Sequence, residues 1–126
     1  MSYKTDMGRV IGLGSAKEGV HHWWNARITS VALIPLTIAF VWIVGPLIGA
    51  SHAEVVAAFG SPFKAIAVIL FILVTFKHLE EGLQIAIEDY VHGKALLAAM
   101  LIGNKLLCWA LGLAGIFAVA KMAFAG

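Results

Sequence analysis

The sequence predicts an all-α integral membrane protein with three transmembrane helices, on three observations. Of its 126 residues, 61% are hydrophobic and only 13% are charged, and the mean hydropathy is +0.93. That leaves too little polar surface to coat a soluble globule of this size. The apolar residues also gather into three segments, about 28–50, 63–87 and 95–123. Each meets or exceeds the roughly 20 residues a helix needs to cross about 30 Å of hydrocarbon, and a backbone in lipid must satisfy its own polar groups by being helical.

The remainder is an N-terminal tail, 1–27, and two short loops, so residues 1–126 are expected to form a single membrane domain. The apolar stretch of the tail is interrupted, and the first long hydrophobic run follows Arg27 without a cleavage-type boundary, which argues against a signal sequence. Gly12 and Gly14 lack the strand before and the helix after that a dinucleotide site requires, and read as linker. The tail and its junction with the first span carry Lys4, Arg9, Lys17 and Arg27, whereas the first loop, Ser51 to Ser61, has neither Lys nor Arg. The positive-inside rule therefore sets the N-terminus in the cytoplasm and the C-terminus outside. Lys94, in the second loop, agrees; Lys64 and Lys121 oppose this weakly, from span ends where long side chains snorkel.

The second span breaks the apolar pattern. Lys77, His78, Glu80 and Glu81 occur together about ten residues before its end, which is reached at Asp89-Tyr90. Charge in hydrocarbon is costly and usually faces a bundle interior, a partner or water. Lys77 is spaced i,i+3 from Glu80 and i,i+4 from Glu81, so the three can pair on one helix face; the competing reading is a solvated patch on a helix end that projects beyond the lipid. His78, Gly82, Ile85 and Asp89 form one stripe, with the acid about 16 Å from the imidazole along the axis. Gly82, one turn on, leaves room for a flat group against the backbone. A lone membrane imidazole either hydrogen-bonds a neighbouring helix or ligates a metal, haem iron foremost, and this position alone leaves both open. With no His-x-His or Cys-x-x-Cys-His pattern, a haem held here takes its second axial ligand from elsewhere.

The segment His21-His22-Trp23-Trp24-Asn25-Ala26-Arg27 sits at the predicted mouth of the first span. The Trp pair reads as an interfacial belt, and Arg27 as a positive-inside determinant that can also reach a haem propionate in bidentate fashion. His21 and His22 read as polar interface residues, with proton carriage the alternative. The single cysteine, Cys108, is expected to be a buried structural thiol. Gly112, Ala114, Gly115 and Ala118 in the third span, and Gly45 and Gly49 in the first, are spaced for close helix contacts. Three thin helices do not enclose a haem alone, so a haem site would need a partner.

A charged tail, an Arg at the mouth of the first span, His-x3-Gly-x6-Asp-Tyr in the second and a third span together resemble the small hydrophobic membrane anchor subunits of bacterial succinate dehydrogenases. The phrase from Gly14 to Arg27, Gly-Ser-Ala-Lys-Glu-Gly-Val-His-His-Trp-Trp-Asn-Ala-Arg, is similar to the alphaproteobacterial versions. The resemblance covers essentially the whole chain. It implies half of a two-subunit, haem-binding helical bundle in the bacterial cytoplasmic (inner) membrane, with a cytochrome b-type membrane subunit, an iron–sulfur subunit and a flavoprotein subunit as partners. No nucleic-acid partner is expected.

By the same resemblance His78 is an axial ligand of haem b, Arg27 lies near the propionates, Gly82 is beside the haem, and Tyr90 hydrogen-bonds a carbonyl of the quinone, ubiquinone ahead of menaquinone. Asp89 would aid proton delivery, with His92 or His21 on the same side. Glu80 and Glu81 depart from the more apolar residues expected after this histidine. Two other readings stay open: the cytochrome b anchor of a fumarate reductase, and a non-redox membrane scaffold in which His78, Glu80 and Glu81 form an ion path.

Overall fold

In the computed structural model, residues 5–7 and 18–125 are described. The helices follow in the order α1 Glu18–Val44, α2 His52–Phe59, α3 Pro62–Tyr90 and α4 Lys94–Ala125, with a single 3-10 turn, Gly45–Leu47, after α1. Three stretches are long and apolar enough to cross a membrane: Gly19–Leu47, Pro62–Tyr90 and Lys94–Phe124. The 29 residues of α3 reach about 43 Å at 1.5 Å per residue. Its ends therefore pass beyond about 30 Å of hydrocarbon into the headgroup regions.

The helix limits differ from expectation in ways the local chemistry explains. His21 to Arg27, expected in the tail, already belongs to α1. At the other end α1 stops at Val44, because Gly45-Pro46 enters a 3-10 turn and Gly49 adopts φ 82°, a left-handed conformation that favours glycine. Gly45 and Gly49, spaced for a close helix contact, both fall beyond the end of α1, and a Cβ at either would meet nothing within 4 Å among the described residues of this chain. Asp89 and Tyr90 are the last residues of α3, which carries the apolar segment 63–87 on to the acid–phenol pair at its end. The first loop is also not plain loop. Its α2 is closed by a capping box, with the Glu54 N–H donating to Ser51 Oγ at 3.3 Å and the Ser51 N–H donating to Glu54 Oε2 at 2.7 Å. The Gly12–Gly14 linker lies outside the described residues.

Helix α3 is central, with α1 and α4 packed antiparallel against it. Phe40 of α1 stacks on Phe71 of α3, ring centroids 4.2 Å apart. Against α4, a Cβ added at Gly112 would lie 3.4 Å from Phe76 and one at Gly115 3.4 Å from Ile72. These two glycines let α4 approach α3, so they serve a seam within the chain; Ala114 and Ala118 face outward. Where α2 folds back, Phe59 joins Ile43, Ala65, Val68 and Val119 in a small apolar core. The outer surface remains apolar, with Val31, Ile38, Trp42, Ile66, Leu106 and Phe117 exposed, as befits a surface covered by lipid or neighbouring chains.

Candidate functional site

Beyond Phe76 the central helix changes character. Lys77 Nζ lies 3.6 Å from Glu80 Oε2 and 3.4 Å from Glu81 Oε1. The spacing thus forms the pairing it predicted. The solvated-patch reading of the two glutamates is overturned, because Glu80 is 5% exposed and Glu81 only 3%. Part of the reason is α4: Asn104 Nδ2 donates to the Glu80 carbonyl oxygen at 3.0 Å, and Cys108 Sγ donates to Asn104 Oδ1 at 3.5 Å. Cys108 is itself buried and free, as expected. The Lys77–Glu81 contact is an ion-pair approach without hydrogen-bond alignment, and both Glu81 carboxylate oxygens lack a hydrogen bond among the described residues. Two buried carboxyl groups thus share one lysine whose side chain is 42% exposed, a costly arrangement in a low-dielectric region.

His78 sits on the flank of α3 that meets α1. Its Nδ1 is 2.9 Å from Thr29 Oγ1, and that hydroxyl is also 2.8 Å from the Asn25 carbonyl oxygen and 3.1 Å from that of Ala26, one turn back in α1. A helix threonine commonly donates to such a carbonyl. The histidine is half-buried, and among the described residues its ring makes this one hydrogen bond, at Nδ1. One turn on, Gly82 is exposed, and a Cβ there would meet nothing within 4 Å. The seam beside His78 therefore opens outward along α3.

The remaining sequence-predicted residues are not gathered around the imidazole by this chain. Arg27 is exposed and its guanidinium lies over the Trp23 ring, 5.2 Å from the centroid, a cation–π contact; Trp23 meets Trp24 edge to face at 5.0 Å. His21 and His92 are exposed, while His22 is half-buried and its Nε2 has no hydrogen-bond partner among the described residues. Asp89 and Tyr90 occupy the exposed last turn of α3, Tyr90 being 83% exposed. No hydrogen bond or ion pair among the described residues joins Arg27, Asp89 or Tyr90 to His78. Nor does any group of three or more His, Cys, Asp and Glu among them hold a metal by itself.

An apolar cleft of about 340 Å³ runs between α3 and α4, with Thr29 at its α1 edge and Lys77, Glu80, Cys108, Trp109 and Gly112 among its walls. Sequence reasoning missed Thr29 and Asn104. Each is one unremarkable polar residue in an apolar span, and only the interhelical register gives it a partner.

Three long apolar helices around a polar, partly open seam define a multi-pass α-helical membrane protein. The chain belongs to the succinate dehydrogenase/fumarate reductase transmembrane subunit family, whose model matches residues 1–120. It is similar to the succinate dehydrogenase hydrophobic membrane anchor subunit of Paracoccus denitrificans, 38% identical over 122 residues that cover 97% of this chain and 94% of the relative. The subunit of the same name from Rickettsia conorii is 24% identical over 110 residues, 84% of this chain and 85% of that one. The succinate dehydrogenase membrane anchor subunit of Reclinomonas americana is 31% identical over 81 residues, 62% of this chain and 68% of its own length. No solved structure matches the chain. The resemblance drawn from the helix motif and the N-terminal phrase is borne out at the level of family and subunit type.

Proposed function

We propose that this chain is a membrane-anchor subunit of a succinate:quinone oxidoreductase, without catalytic activity alone, that holds haem b jointly with a second membrane subunit and helps to form the quinone-reduction site. The observation that carries this reading is the His78 seam. An imidazole is tethered through Nδ1 to Thr29, and the helix surface one turn away is bare at Gly82. Neutral imidazole is a standard axial ligand of haem iron, and a flat macrocycle needs such an open strip beside its ligand. The donor set of this chain therefore fits half of a haem site, with His78 as ligand, Gly82 giving room and Arg27 available to a propionate. A bound haem supplies one-electron storage beside the quinone.

Tyr90, in the last turn of α3, donates its phenolic O–H to a quinone carbonyl, where negative charge grows during reduction; a site of low dielectric strengthens that interaction. Asp89 next to it, with His92 and His21, belongs to the side from which protons arrive. The positive-inside bias makes that side cytoplasmic in the bacterial inner membrane, with the C-terminus in the periplasm. Flavoprotein and iron–sulfur subunits deliver the electrons of succinate there, and ubiquinone takes them ahead of menaquinone. The fumarate reductase alternative is the weaker one, since the relatives above are named as succinate dehydrogenase subunits.

The test is purification of the assembled complex through a tag on this chain, with a dithionite-reduced minus oxidised spectrum. A b-type haem signal with flavoprotein and iron–sulfur partners is expected, and its loss in His78→Ala. Tyr90→Phe should lower succinate:quinone turnover by about a hundredfold while leaving succinate oxidation by a soluble dye intact. A folded, partner-bearing complex without haem sinks the haem assignment, and equal loss of both activities in Tyr90→Phe sinks the quinone role.

A further inference from the structure

We infer that Thr29 is a positioning residue for the haem ligand: its hydroxyl accepts the Nδ1–H of His78, fixing the tautomer that leaves Nε2 as the metal-facing nitrogen. The inference rests on the haem reading above and goes beyond it by assigning a role to a residue of another helix. A threonine hydroxyl carries one proton. Here that proton has a carbonyl within reach, Asn25 O at 2.8 Å, with Ala26 O at 3.1 Å behind it, so a lone pair of Oγ1 faces His78 Nδ1 at 2.9 Å.

A neutral imidazole with its proton on Nδ1 has a free pair on Nε2 alone, and a metal-bound histidine ordinarily donates its other ring N–H to such an acceptor. The Asn25 carbonyl polarises the hydroxyl in turn, as one hydrogen bond strengthens the next along a chain. The same bond ties α1 to α3 at the depth of the ligand. Rotation of the ring about its Cβ–Cγ bond would break it, so ring orientation and tautomer are set together.

An acceptor at Nδ1 pushes electron density toward Nε2 and favours the ferric over the ferrous state. Thr29→Val, which keeps the branched shape and removes the oxygen, should therefore raise the haem midpoint potential in the purified complex. A tenfold change in the reduction equilibrium is expected, which is 59 mV for a one-electron couple. Haem retention should also weaken by about tenfold, the lower end for loss of an outer-shell partner. Thr29→Ser, which keeps the hydroxyl, should restore both.

Thr29→Ala repeats the loss of oxygen without a branched apolar group and carries the same readout if the valine variant fails to assemble. A wild-type potential and haem content in an oxygen-free variant overturns the inference while leaving the haem reading intact. So does a serine variant as shifted as the valine. Absence of haem from the wild-type complex overturns the haem reading and this inference with it.

Discussion

The two ends of the bundle hold together by different physics. At the α2 end, Ile43, Phe59, Ala65, Val68 and Val119 bury apolar surface against one another, and Phe40 stacks on Phe71 nearby. At the Tyr90 end the helices meet through Thr29 and His78 and through Asn104 and the Glu80 carbonyl, beside the pairing of Lys77 with two glutamates within α3. In lipid the apolar contacts gain little from leaving their surroundings, which are as apolar as a leucine side chain, so close fit is what they contribute. Polar groups have no such indifferent alternative. The comparison teaches that the polar end, though unfavourable to build, is the end where a single substitution has the larger effect. It is also the end that opens outward, toward whatever completes the seam.

The comparison breaks first at Lys77. Lys77→Ala would leave the buried Glu80 and Glu81 without their counter-charge; because the lysine side chain is 42% exposed, the loss should fall short of that for a fully buried pair, at about 2 kcal/mol. Thermal unfolding of the assembled complex in detergent should show that loss, and the double change Lys77→Ala with Glu81→Gln should recover a substantial part of it. No loss in the single variant would mean that the cluster is wetter than its burial implies. At the apolar end Val68, 3% exposed, is the matching probe. Val68→Ala should cost only about 1 kcal/mol in the same assay, from packing alone without a transfer contribution; a cost equal to that of Lys77→Ala would erase the contrast.

The smallest effect is expected at the exposed first turn of α2. Hydrogen bonds from the backbone and side chain of Ser51 hold the Glu54 carboxyl below its ordinary 4.5. A carboxyl lowered by folding adds stability that is present above its unfolded value and lost as pH falls through the folded one. The helical chemical shifts of α2 should therefore be constant from neutral pH to about 4.5 and fray below it, and Glu54→Ala should remove that dependence. A transition that persists in the alanine variant would assign it to another group.

The spans were legible because they follow from length and apolarity, and the His78, Gly82, Asp89 stripe because helical spacing fixes it. The Lys77–Glu81 pairing was legible for the same reason. The capping box at Ser51 and Glu54 was also written in the chain, as Ser-x-x-Glu, yet it lay in a segment read as loop. The limits of α1 were misread because a hydropathy window does not register how far a polar, Trp-rich segment continues a helix, or how early Gly45-Pro46 ends one.

The sequence by itself determined a three-span helical membrane protein with a histidine in its central span and an acid–phenol pair at that span's end, since these depend only on composition and the helical repeat. Which helix faces which is a property of the register between helices. Only the tertiary structure decided that Glu80 and Glu81 are buried, that Gly112 and Gly115 seat α4 on Phe76 and Ile72, and that Thr29 is the residue His78 meets. The physical reason is that a hydrogen bond across 49 residues is set by how two cylinders pack, and no local pattern in either one encodes it.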